Sequence, residues 1–531
     1  MVDPTTDGQR PVHTAFVHTA FVHTAFVHTS VVHIPGVHTS VSTPHSWEVF
    51  LMASNLAPRF SALSRRLPAL LVFWSLGAQA IPANAPDGCA RTRSAEGITE
   101  YRLDNGLRVL LAPDDTQTTT AVDLTYRVGS RNEHDGQRGL SHLLEHLVLR
   151  GTPTHPDISA SFQRRDMNVK ASTSAERTHY AATFLAAPAT LAWYLGWHAD
   201  AMVHTGVTRA DVDGVLPKIL DEVEAGENAP ERVLRQKMRS AVFHWHRYGN
   251  DPMGTRADFA NVRIDLLRAY YREYYQPDNA VLTITGKFDA AATLSAIVET
   301  LGKVPRPSRN MPADYDVESL RDGNHAITLR RRGGYPLAAA MYHVPAPHSR
   351  DHTLLLLAAD MLATGGAHRL RGELVTPGLA GTISSTALGW RDYGLIEFIA
   401  ALKPAVDNDN AQRILNRTVE SVRLHPYTQA ELDQARRRWL DGWTRAQADP
   451  LALADALSKA SVSGDWRLVF LERDRVRDAT LIDVQRAAER YLLRANRNQG
   501  SYIPTAEPER QPATAPIDLG PELKRYDTDV D

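Results

Sequence analysis

Gly139-Leu-Ser-His-Leu-Leu-Glu-His-Leu-Val-Leu-Arg-Gly-Thr152 is the stretch around which the rest of the chain is organised. On a helix of 3.6 residues per turn, Leu140, Leu143, Leu144, Leu147 and Val148 fall into one apolar stripe that needs a core to bury it. His142, Glu145 and His146 lie off that stripe. Two imidazoles four residues apart sit one turn above each other, close enough to share one metal ion, and the carboxylate between them can reach a water on that ion. The order His-x-x-Glu-His inverts the commoner His-Glu-x-x-His metal helix.

Composition narrows the classes around this helix. At 531 residues, with 43% hydrophobic and 23% charged side chains, the chain is an ordinary globular one with room for two to four domains. Lys plus Arg at 59 against Asp plus Glu at 61 gives a formal net charge of -2, which offers no argument for a nucleic-acid or anionic-membrane surface. Cys89 stands alone, so an intrachain disulfide and a cysteine-built zinc site are both excluded.

Residues 1–51 repeat Val-His-Thr-Ala-Phe, with His13, His18, His23 and His28 at one spacing. A near-perfect short repeat without a core-forming pattern reads as a low-complexity, disordered extension rather than a metal ladder. From Met52, Arg59, Arg65 and Arg66 precede the apolar run Leu67–Leu76, and Ala78-Gln-Ala80 follows. Residues 52–80 therefore read as a secretory signal peptide whose apolar run is too short to span a bilayer. The expectation is translation from Met52 and a periplasmic or secreted protein without a stable membrane span.

The globular part starts near residue 96 with strand-like alternation broken at Asn105-Gly106, a hairpin signal. A strand over Thr120–Val128, the Gly139 helix, a strand-like run Lys170–Phe184 and helices over Pro188–His204 and Asp211–Gly226 follow. Pro217 is expected to start the second part of the latter helix, because proline suits a first turn. A strand at Ala280–Gly286 completes a first unit, 96–302, and a proline-spaced linker, 303–324, comes next. In 325–505 the order of elements restarts, and Asp351–Ala363 stands where the metal helix stood, with His352 but no partner ligand at the required spacing. The chain thus reads as a duplicated α+β unit whose second copy lacks the metal site, followed by a disordered tail, 506–531.

The sequence resembles the insulinase/pitrilysin family of inverted zinc peptidases, of the short bacterial and processing-peptidase-like type. The markers are Leu103-Asp-Asn-Gly-Leu-Arg-Val109, Arg127-Val-Gly-Ser-Arg-Asn-Glu133, Gly139–His146, Gly151-Thr152, Ala171-Ser-Thr-Ser174, His246-Arg-Tyr-Gly249 and Tyr275-Gln-Pro-Asp-Asn279. The resemblance implies two homologous α+β halves closing as a clamshell, and one zinc per chain held by His142, His146 and a glutamate on a later helix. At the family's spacing beyond His146 that glutamate is Glu222; chemistry alone leaves Asp221, Glu224 and Glu227 open. Glu145 is then the general base of a zinc metalloendopeptidase acting on peptides or unfolded polypeptides.

Several positions depart from the family pattern. Val215 stands where a second glutamate is frequent, and Lys170 or Asn168 where an asparagine approaches the substrate. Leu374 and Gly381 occupy the places of an arginine and a tyrosine that hold the substrate over the metal. Their loss implies a companion subunit of the same family that supplies the pair; the plainer expectation is a homodimer or monomer using residues such as Tyr342 or Arg391. The alternative function is an inactive or scaffold member acting as a partner subunit.

Overall fold

The computed structural model describes residues 85–312, 316–319, 323–366, 368–508 and 518–526. The repeat at 1–51 and the segment 52–80, expected to be a signal peptide, lie outside the described residues.

The chain is α+β, with two sheets. The first contains β1 (Cys89–Ala95), β2 (Ile98–Leu103), β3 (Arg108–Pro113), β4 (Thr119–Tyr126), β5 (Asn168–Thr173), β6 (Thr178–Leu185) and β7 (Ala280–Gly286), in the order β1-β2-β3-β7-β4-β6-β5. The second contains β8 (His325–Arg331), β9 (Leu337–Pro345), β10 (Ala380–Gly389), β11 (Tyr393–Leu402) and β12 (Arg497–Pro504), in the order β10-β11-β9-β12-β8. Read from β8, the second sheet repeats β3-β7-β4-β6-β5 strand for strand. In each, one parallel pair, β3 with β7 and β8 with β12, is flanked by antiparallel neighbours. The duplication seen in the sequence is therefore a duplication of topology.

Alternation along the strands explains how both faces are used. Val109 and Leu111 of β3 join a core with Leu143, Leu144 and Leu147 of the Leu140–Arg150 helix, while Leu110 and Ala112 face the other way. That second face meets Leu457, Ala460, Trp466 and Phe470, which come from the second half of the chain. The exchange is mutual: Leu337, Ala339 and Met341 of β9 pack on Leu234, Met238 and Val242 of the Pro230–Val242 helix from the first half. Each sheet thus has its own helices on one face and a helix of the other half on the opposite face. Strands covered on both sides read as near-continuous apolar runs, as Ala280-Val-Leu-Thr-Ile does.

Buried charges cross the same junction in matched sets. Arg131 donates to Glu176 at 2.6 Å and pairs with Asp392 at 2.8 Å, and Tyr248 donates its hydroxyl hydrogen to Glu176. The Arg391 backbone N–H donates to the same carboxylate at 3.0 Å.

Four local differences from the sequence reading have physical causes. β1 precedes the expected start at 96; its side chains are mostly exposed, so it leaves no apolar alternation, and it is joined to β2 by Glu96-Gly97, both at positive φ. The run Lys170–Phe184 is a hairpin, β5 and β6, not one strand. Pro217 sits inside one continuous helix, Arg209–Glu227, instead of opening a second one. That helix forgoes one internal hydrogen bond there, and Val212, Val215, Ile219 and Val223 keep it seated in the core. In the tail, residues 520–523 form a short exposed helix. The described part of the linker is tied down, with Arg309 on Asp278 and Arg247 on Asp316.

Candidate metal centre

The Leu140–Arg150 helix begins at Gly139, whose φ of 82° and close neighbours both require glycine: a Cβ there would lie 2.9 Å from the Phe259 ring. Glu133 fixes this start by accepting hydrogen bonds from the N–H groups of Gly139 and Ser141, both at 2.8 Å. Burial pushes Glu133 up to about 7, against the downward pull of those two donors. The far end of the helix is held by Arg150, which donates to Asp211. Asp211 also closes the capping box with Thr208 that starts the Arg209–Glu227 helix. This ion pair ties together the two helices that carry the candidate ligands, which also share the first core.

His142 and His146 rise from the first helix and Glu222 from the second. Glu222 Oε2 lies 3.3 Å from Nε2 of each imidazole, and the two Nε2 atoms lie 3.2 Å apart. A tetrahedral zinc ion with bonds near 2.05 Å demands ligand separations of about 3.3 Å, so three donor atoms already occupy one triangular face of such a site. Among the described residues no other group of three His, Cys, Asp or Glu side chains is gathered in this way. His142 Nδ1 is 3.2 Å from the Met253 carbonyl, which can only accept; the ring proton therefore sits on Nδ1 and leaves the Nε2 lone pair pointing into the triangle.

The electrostatics suit a cation. Burial alone raises the Glu222 carboxyl, but when protons on Nε2 of His142 and His146 take the place of a metal, their hydrogen bonds and charge hold it well below the usual carboxylate range. Burial lowers His142, and Glu222 and Glu145 outweigh it and bring the imidazole above its ordinary value. The other acidic candidates are placed elsewhere. Glu224 and Glu227 pair with Arg256 at 2.9 and 3.3 Å, and Asp221 is exposed.

Glu145, one residue before the second histidine, is buried, and Thr173 at the end of β5 donates a hydrogen bond of 2.6 Å to its Oε2. That leaves Oε1 to act. The sequence reading does not single out Thr173, Met253 or Glu133, although Thr173 and Glu133 lie within marker stretches. Their signal is contact with a ligand or base, which spacing along the chain does not carry.

The departures are placed as well. Val215 is buried in the first core and Lys170 is exposed on β5. Leu374 is fully buried in the second core, and Gly381 is the second residue of β10. Tyr342 cannot position a substrate, because its ring is buried and its hydroxyl donates to Glu420. His352 is buried too.

Residues 108–256 match the profile of the Insulinase (Peptidase family M16) family, and residues 261–438 that of the Peptidase M16 inactive domain. The zinc protease PqqE of Helicobacter pylori is 28% identical over 408 residues, which cover 73% of this chain and 89% of that protein. The probable zinc protease PqqL of Escherichia coli is 26% identical over 67% of this chain; the match spans 40% of PqqL, so the likeness is to less than half of it. Among solved structures, a protease from Helicobacter pylori superimposes with a TM-score of 0.72 at 24% identity, over 77% of this chain and 99% of that one. The first half of the periplasmic protease PqqL from Escherichia coli gives 0.63 at 18% identity, over 78% and 94%, a likeness of fold alone.

Proposed function

Because this chain belongs to the insulinase (peptidase M16) family, we propose that it is a zinc metalloendopeptidase that holds one zinc ion on His142, His146 and Glu222 and uses Glu145 as general base. The observation that carries this reading is the triangle of donor atoms 3.2–3.3 Å apart with a buried carboxylate beside it. Zinc bound there supplies a Lewis acid and brings the pKa of a water to about 7. The protein's share of the chemistry follows from its side chains. Glu145, with Oε2 fixed by Thr173, offers Oε1 to take the proton of the attacking water and return it to the leaving amine. No side chain needs to form a covalent intermediate.

The substrate class is peptides or unfolded segments. β5 is the edge of the first sheet, with no further strand on it among the described residues, and its last residue touches Glu145. An extended peptide added to that edge by backbone hydrogen bonds runs past the general base, whereas a folded chain presents no free strand. PqqL, a periplasmic protease, supports export of this chain through residues 52–80, and no described helix is long and apolar enough to cross a membrane.

A second reading is favoured by Leu374 and Gly381, which place no donor over the site. In it the chain works with a companion subunit, or serves as the scaffold of one. The test is metal analysis and peptide hydrolysis of the purified chain beside His142→Ala and Glu222→Ala. One zinc in the wild type, none in the variants, and hydrolysis confined to the wild type are expected. Equal zinc in all three would refute the metal assignment, and zinc without hydrolysis until a companion is added would favour the second reading.

A further inference from the structure

A cavity of about 500 Å³ lies on the second domain, between the Asn408–Glu420 helix, the following Ser421–Leu424 segment and the start of β12. Four arginines line it: Arg413 and Arg417 one helical turn apart, Arg494 from the turn before β12, and Arg497 at its first residue. Its one acidic lining residue is Glu420, already occupied by Arg497 at 2.6 Å and by the Tyr342 hydroxyl at 3.1 Å. Arg417 also has a loose exposed pair, 3.3 Å from Glu373. Among the described residues, the side chains of Arg413 and Arg494 have neither an ion pair nor a hydrogen bond.

Two features show that this is more than a basic stretch of surface. Arg497 is only 8% exposed, and among the described residues its Nε has no acceptor, so a buried donor beside the cavity is left unsatisfied. Arg413 and Arg417 are like charges at i and i+4, an arrangement that destabilises a helix unless an anion lies between them. We propose that this cavity binds a small organic anion carrying two or more phosphate or carboxylate groups. Guanidinium forks meet both groups in pairs of hydrogen bonds; with Arg497 held by Glu420 and Arg417 loosely by Glu373, Arg413 and Arg494 are left to meet two negative charges. The chain's net charge is -2, which gives no support to a nucleic-acid surface.

The test is calorimetric titration of the full chain at constant ionic strength with fructose 1,6-bisphosphate and, separately, tricarballylate, both weak zinc chelators. Saturable binding of one or both, with a dissociation constant of about 1 mM or tighter, is expected, and whichever binds identifies the group preferred. Arg413→Gln/Arg494→Gln removes only unpaired exposed side chains, so it keeps the fold and should weaken binding at least about tenfold. Arg91→Gln/Arg102→Gln, two exposed arginines on β1 and β2, should leave it unchanged. No saturable binding of either probe, or the same loss in both double variants, would overturn the proposal. Because no catalytic group lines the cavity, an inactive peptidase would leave this result untouched.

Discussion

Replacing Thr173 by Val keeps the shape of a buried side chain and deletes one donor. In the wild type that donor sits 2.6 Å from Glu145 Oε2, and both residues are less than a tenth exposed. A hydrogen bond to a charged group contributes about 1.5–3 kcal/mol, and a carboxylate that loses it in a buried place either turns toward another donor or bears the cost of its desolvation. If that energy is expressed in the orientation of the general base, kcat/KM falls by about 10- to 150-fold. Zinc content should not change, since Thr173 contacts none of the three ligand side chains. Hydrolysis of a quenched fluorescent peptide, measured beside zinc content and a melting curve, separates these effects. Thr173→Ser should recover most of the rate by restoring the hydroxyl. Full activity in Thr173→Val, or no recovery in Thr173→Ser with the fold intact, would refute the positioning argument.

Glu145→Gln should bind zinc and melt like the wild type while hydrolysis drops by about 10²- to 10⁴-fold, the usual worth of a general base; an unchanged rate would assign the base elsewhere. Leu457→Ala empties a fully buried site between the second half's helix and the first sheet, and should cost about 2–5 kcal/mol in urea unfolding. Because the helix belongs to one half and the sheet to the other, a single shifted transition is expected, and two separate transitions would contradict the mutual packing. Burial lowers His198 to about 3 and His352 to about 4, so both bind protons more readily when unfolded. Their stabilisation is complete above pH 6.5 and fades as pH falls, by about 2 kcal/mol each at pH 5. Glu133, raised to about 7, has the opposite sign, so the measurement is the difference in urea midpoint between wild type and His198→Phe/His352→Leu from pH 7 to 5. A difference that does not change with pH would remove the histidines from the acid response.

The metal helix, the second set of elements and the candidate ligand on the Arg209–Glu227 helix are legible because each depends on local periodicity or on spacing along the chain. His142 and His146 need only one helical turn to meet. Glu222 is brought in by tertiary packing: the family's spacing picks it out, whereas its chemistry alone does not separate it from Glu224 and Glu227, which Arg256 holds. The exchange of helices between halves is hidden for the same reason. Leu110 and Val109 are equally apolar in sequence, and nothing local says that one faces its own domain's helix and the other a helix from the far half of the chain. β1 escapes notice because an exposed edge strand carries no hydrophobic signature, and Pro217 is misplaced because core contacts outweigh a lost hydrogen bond.

The crossed helices also impose a schedule on synthesis. When Gly286 leaves the ribosome the first sheet has all its strands, yet the helix that covers its second face is not complete until Val462. At about 5–20 residues per second, making that intervening stretch takes roughly 10–35 s, during which Leu110, Val281 and their neighbours have no partner. A nascent chain with such an open apolar face is a natural client for a holding chaperone, and a message truncated in the linker encodes a fragment that aggregates rather than half an enzyme.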